Sequence, residues 1–118
     1  MTLEIHPGDV YVVVGLARSG QAAASRLLSG GAVVRVTDTK PADALAEPMR
    51  ALQFQKVAEG GRLEFHLGGH PEGILDGARA LILSPGVPVA SPFIQRAVAL
   101  GIPVWSEIEF AFRLLDGV

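Results

Sequence analysis

Val10-Tyr11-Val12-Val13-Val14-Gly15-Leu16-Ala17-Arg18-Ser19-Gly20 is the stretch that decides how this chain folds. An apolar run stops at a glycine, four residues turn, and a second glycine opens an alanine-rich segment. Apolar side chains at consecutive positions suit a parallel strand covered on both faces, because both sets of side chains then leave water. Gly15 permits the sharp exit that a Cβ resists. The segment reads as buried strand, tight turn and helix. The first N–H groups of that helix, at Arg18, Ser19 and Gly20, have no carbonyl partner within it and lie at the positive end of its dipole. Backbone alone makes an anion pocket there.

A dinucleotide fingerprint asks for Gly-x-Gly-x-x-Gly, and Ala17 stands at the middle glycine, so a pyrophosphate loses one methyl of room. Context adds weight. A second apolar run, Ala32-Val33-Val34-Arg35-Val36-Thr37, follows at βαβ distance and ends in Asp38, where an acid usually meets the sugar or base of a nucleotide. The competing reading gives Gly15 and Gly20 only the task of letting a helix sit close on a sheet, with no phosphate involved.

With 118 residues and no cysteine, the chain is expected to form one domain with a sufficient core. It offers no thiol nucleophile, thiolate metal site or disulfide, which fits a reducing, cytoplasmic setting. No apolar run approaches the roughly 20 residues of a membrane span, and no signal-peptide pattern opens the chain, so a soluble protein is expected. A net charge of −2 without a basic stripe excludes the electrostatic footprint of a nucleic-acid binder. Any anionic ligand must be held locally.

Further along, residues 20–29 place Ala23 with Leu27 and Ala24 with Leu28 on one side of a helix. A second helix is expected over 43–58, with Leu45, Met49 and Leu52 buried. Strands follow at 63–66 and 80–83, the latter stopping at Ser84-Pro85-Gly86-Val87-Pro88. Ser91 then reads as an N-cap and Pro92 as the first helical residue, with Ile94, Ala97 and Val98 inward. After a short strand at 103–105, Ser106 and Glu109 form a capping-box pattern and Trp105 with Phe110 a hydrophobic staple. Ile108, Ala111, Phe112 and Leu115 form the expected buried stripe of the last helix.

Strands alternating with helical segments predict an α/β fold, a Rossmann-like doubly wound parallel sheet of five strands in the order 3-2-1-4-5 with helices on both faces. Its ligand crevice lies beyond the carboxyl ends of the strands where the winding reverses, between the first and fourth. The Gly15 turn, Asp38 and the Ser84-Pro85-Gly86 loop share that edge. Other chemistry fits less well. His66 and His70 are four apart, but Gly68, Gly69 and Pro71 forbid the helix that would pair them on a metal, and no third ligand is evident. Ser84 follows a strand as a nucleophile would, yet no Gly-x-Ser-x-Gly elbow surrounds it. Glu107 and Glu109 are better read as helix-start acids than as a catalytic pair. Arg18 either adds charge-assisted bonds to a diphosphate or is a solvated surface arginine.

The run from Gly15 through Ala17, Arg18 and Ser19 to Gly20, the ending Asp38-Thr39-Lys40, Ser84-Pro85-Gly86-Val87-Pro88 with Ser91-Pro92, and Gly101-Ile102-Pro103-Val104 leading to Ser106-Glu107-Ile108-Glu109-Phe110 together resemble the amino-terminal domain of the D-glutamate-adding Mur ligases of peptidoglycan synthesis. The resemblance covers nearly the whole chain. It implies that Gly15, Ala17, Arg18, Ser19 and Gly20 meet the diphosphate of UDP-N-acetylmuramoyl-L-alanine. It also implies that Asp38, Thr39 and Lys40 meet its uracil and that Ser84, Pro85 and Gly86 line the crevice. Uracil suits such a site, since its imide N–H can face a carboxylate and its carbonyls an N–H or hydroxyl. Two departures stand out: Ala17 replaces a glycine common in the family's turn, and Lys40 an arginine. In the family, ATP with Mg2+ activates the substrate carboxylate as an acyl phosphate, which the amine of D-glutamate attacks. This chain has no Gly-x-x-x-x-Gly-Lys-Ser/Thr loop for ATP, so by itself it is expected to bind no cofactor or metal and to be the inactive substrate-binding domain of a larger ligase. The rival readings are an NAD-binding domain of an oxidoreductase, with Asp38 on a ribose hydroxyl, and a non-catalytic interaction domain.

Overall fold

In a computed structural model, residues 4–16, 18–55 and 57–115 are described, with the backbone alone at Ser19, Glu72 and Leu115. Of the sequence-derived positions, Ala17 and the side chains of Ser19 and Leu115 lie outside this description. Five parallel strands, β1 (Val10–Val14), β2 (Val33–Asp38), β3 (Arg62–Leu67), β4 (Ala78–Leu83) and β5 (Val104–Ser106), form one sheet in the order β3-β2-β1-β4-β5. The order and direction are those the sequence predicts. Helices α1 (Arg18–Ser29), α2 (Ala46–Gln53), α3 (Pro92–Ala99) and α4 (Glu107–Leu115) complete it, with 3-10 turns at Ala42–Leu45 and Glu72–Leu75.

β1 is central because both of its faces are apolar. Tyr11 and Val13 face the core shared with α1, α2 and α4, whereas Val12 and Val14 face the core shared with α3 and the turn around Ile74. Ala23, Ala24, Leu27 and Leu28 are buried as the helical spacing requires. Strand β3, by contrast, alternates: Leu63, Phe65 and Leu67 pack on the first core, and the intervening Glu64 pairs with Arg62 and His66. An edge strand covered on one side only needs a period of two.

Three expectations are corrected. The helix expected over 43–58 is split into a 3-10 turn and a short α2 starting at Ala46. Pro48 explains the division: it has no N–H for the carbonyl of Ala44, and its ring would clash there, so an α-helix can hold it only in its first turn. Leu45 and Leu52 are still buried. On α3, Ile94 and Ala97 point inward, but Val98 is exposed, and Ser91 sits at the N-cap without a side-chain cap bond. On α4, Ile108 and Phe112 are 72% and 65% exposed, Ala111 is exposed, and among the described side chains of this helix the buried one is Phe110. The staple decides this orientation. Trp105 and Phe110 are both buried, and fixing them turns Ile108 and Phe112 outward. Only half of the capping box forms: the Glu109 N–H donates to Ser106 Oγ, while the Glu109 carboxylate pairs with Arg113.

Candidate nucleotide-binding cleft

The turn after β1 is held from both sides. Gly15 has φ +95°, a conformation that L side chains rarely adopt. Its N–H donates to the Thr37 carbonyl at the end of β2, and its own carbonyl accepts from Ser84 Oγ at 2.9 Å, at the end of β4. A Cβ at Gly20 would stand 2.2 Å from the Gly15 carbonyl oxygen and 2.9 Å from Ser84 Oγ. The glycine at position 20 is what lets α1 start against the strand. Both glycines therefore do the packing work of the competing reading, and in doing so they set the first turn of α1 beside the end of β1.

The Asp38 carboxylate ties the turn after β1 to the loop after β2. One carboxylate oxygen accepts the Leu16 N–H and the other the Lys40 N–H, each at 2.9 Å. The parallel register that pairs Val14 with Thr37 puts the next residue of β2 level with the turn after β1. A short acid at that place reaches the turn's backbone. Each oxygen keeps accepting capacity toward a ligand.

Beyond these strand ends lies a cavity of about 800 Å³. Of the residues singled out in the sequence, Gly15, Asp38, Thr39 and Gly86 line it. Ser84 and Pro85 do not; they border a neighbouring hollow of about 510 Å³ toward β5 and α4, with Ser84 turned to the Gly15 carbonyl. Arg18 and Lys40 are exposed and outside the cavity wall.

Sequence reasoning missed the opposite wall. Val87 and Pro88, then Phe93 and Arg96 on α3, close the cavity on one side, and His70 closes it on the β3 side. The His70 ring stacks on Phe93 with centroids 4.3 Å apart and 16° between planes, and its Nδ1 lies 2.6 Å from Thr37 Oγ1. Burial pulls the His70 pKa below the usual imidazole value, and the charge of Asp38 only partly offsets it. The signal was available: the order 3-2-1 sets the loop after β3 at the same edge as Asp38. His66, weighed with His70 as a metal pair, instead meets Glu64 Oε1 at 3.2 Å.

A doubly wound parallel sheet with its cleft beyond the carboxyl ends of β1, β2 and β4 defines a Rossmann-like α/β domain. Residues 9–106 match the family described as Mur ligase MurD-like, N-terminal domain, and the chain belongs to that family. It is 42% identical over 111 residues to the UDP-N-acetylmuramoylalanine--D-glutamate ligase of Anaeromyxobacter dehalogenans, covering 94% of this chain and 22% of that protein. Against the ligase of the same name from Myxococcus xanthus it is 40% identical over 121 residues, covering 100% of this chain and 24% of the relative. With that from Bacillus subtilis it is 42% identical over 106 residues, covering 88% and 22%. The chain thus spans less than a quarter of the length of these relatives.

Proposed function

We propose that this chain is the UDP-binding domain of an ATP-dependent ligase that joins D-glutamate to UDP-N-acetylmuramoyl-L-alanine in peptidoglycan synthesis. The observation that carries the reading is the meeting of the Gly15 turn, Asp38 with Thr39, and Gly86 at one cavity of about 800 Å³, in a chain of this family. The first turn of α1 offers N–H groups and a dipole to the diphosphate, and the exposed Arg18 adds a guanidinium at its entrance. Asp38 and Thr39 face the uracil, whose imide N–H and carbonyls complement a carboxylate and a hydroxyl. Lys40 borders the base. Ala17 and Ser19 belong to the phosphate turn by sequence. Ser84 contributes by holding the Gly15 carbonyl and Pro85 by shaping the loop that carries Gly86.

The domain anchors the nucleotide end of the substrate, so that the other end is delivered at a fixed distance to the reacting groups. ATP and Mg2+ would supply carboxylate activation, and none of the described residues forms a cluster of acids and histidines able to hold a metal ion. In this reading they are held, with D-glutamate, by parts of the ligase outside this sequence. No described helix is long and apolar enough to cross a membrane, and a cytoplasmic enzyme supplied with UDP-sugars and ATP fits.

Titration of the chain with UDP-N-acetylmuramoyl-L-alanine, UDP and NAD, followed by amide chemical shifts, tests the assignment. Both uridine ligands are expected to perturb Gly15, Asp38, Thr39 and Gly86, with NAD weaker. Binding of NAD alone would overturn it in favour of an oxidoreductase domain.

A further inference from the structure

Thr37 Oγ1 lies 3.1 Å from the Gly69 carbonyl oxygen and 2.6 Å from His70 Nδ1. A hydroxyl has one proton to donate, and a carbonyl oxygen has none. Both contacts are hydrogen bonds only if Thr37 donates to Gly69 and the Nδ1–H of His70 donates to Thr37. The other ring nitrogen of the neutral imidazole, Nε2, then carries a lone pair. Stacking on Phe93 fixes the plane of the ring, which forms part of the cavity wall with Asp38 and Thr39. Among the described residues, Nε2 has no hydrogen-bond partner.

We infer that His70 Nε2 accepts a hydrogen bond from the nucleoside of the bound nucleotide and so helps to set which nucleoside the cleft takes. The inference rests on the reading of the cleft as a UDP site. Two donors share the required chemistry: a ribose hydroxyl, with the imide N–H of uracil left to Asp38, or that imide N–H itself, with the Asp38 carboxylate turned to the ribose. Cytosine carries a lone pair where uracil carries that N–H, so CDP would set acceptor against acceptor. A lowered pKa keeps the ring neutral near pH 7. The charged and titratable groups on the elements around it are Arg35 and Asp38 on β2, Arg62, Glu64 and His66 on β3, and Arg96 on α3.

Two variants separate recognition from packing. His70→Asn retains an amide where Nδ1 meets Thr37 and has nothing at Nε2, whereas His70→Gln returns an amide oxygen near Nε2. Calorimetry at pH 8 is expected to show UDP binding weakened about five- to tenfold in His70→Asn, as for one lost hydrogen bond, and largely recovered in His70→Gln. If uracil is the donor, preference for UDP over CDP shrinks in His70→Asn. If ribose is the donor, wild type discriminates against deoxy-UDP and the variant does not. As pH falls from 8 through the lowered pKa of the ring, the affinity of wild type should fall relative to His70→Asn as Nε2 gains a proton, the phosphate's own titration being common to both. A His70→Asn protein with unchanged UDP affinity overturns the inference alone, as does a loss equal for every nucleotide and not recovered by glutamine. Wild type that fails to bind UDP overturns this inference and the UDP reading together.

Discussion

Gly20 and Asp38 show at the scale of single residues how far a motif can be read. The glycines were legible because each stands where a chain must turn or approach closely, and a Cβ at position 20 would meet a backbone oxygen at 2.2 Å. Gly20→Ala is expected to destabilise the fold by about 3 kcal/mol, since the turn itself must move; a shifted midpoint in urea at unchanged slope would measure it. Asp38 was legible as an acid at the cleft but not as a clamp. Its grip on the Leu16 and Lys40 N–H groups depends on the distance between two strand ends, which register sets and sequence does not display. Asp38→Ala should therefore cost about 2 kcal/mol of stability and also weaken UDP binding by about 1–3 kcal/mol. Denaturation and calorimetry on one preparation separate the two losses, and a variant of unchanged stability and affinity would show that the carboxylate does neither job.

At the scale of elements, α4 and β3 mark where periodicity stops being decisive. The last helix carries two apolar arcs, one through Ile108 and Phe112 and one through Phe110, and a spacing of 3.6 residues cannot choose between them. The choice was made before the helix began, by burial of Trp105 beside Phe110. The start of α2 is legible in Pro48, whose missing N–H confines it to the first turn of an α-helix, and a start at residue 43 leaves it too deep. On β3, burial works against the charge of Glu64, but hydrogen bonds from His66 and Arg62, with the charges of Arg62 and Arg35, outweigh it and lower its pKa below the usual 4.5. A carboxyl whose folded pKa lies below its unfolded one adds stability that is complete above the unfolded value and is lost as pH falls through the folded one. Glu64→Gln is accordingly expected to cost about 0.5–1 kcal/mol near pH 7 and nothing once both forms are protonated in acid. Thermal melts of the two proteins across that range should converge as pH drops.

For the whole molecule, the order of strands followed from alternating elements and right-handed crossovers, and with it the edge at which a ligand sits. The wall supplied by His70 and α3 did not, because it depends on how far α3 leans over the sheet. That wall predicts a dry floor and a wet rim, so exchange of Thr37 and His70 amides should slow on adding UDP while those of the exposed α4 face are unaltered.

Two bonds described above, Leu16 N–H to Asp38 and Ser84 Oγ to the Gly15 carbonyl, tie three segments that lie far apart along the polypeptide. Neither forms until the neighbouring strands have met, so ligand competence cannot emerge piecemeal during folding. A nucleotide added during refolding should thus be captured only in the final cooperative phase, and a fragment lacking β4 should ignore it at any concentration.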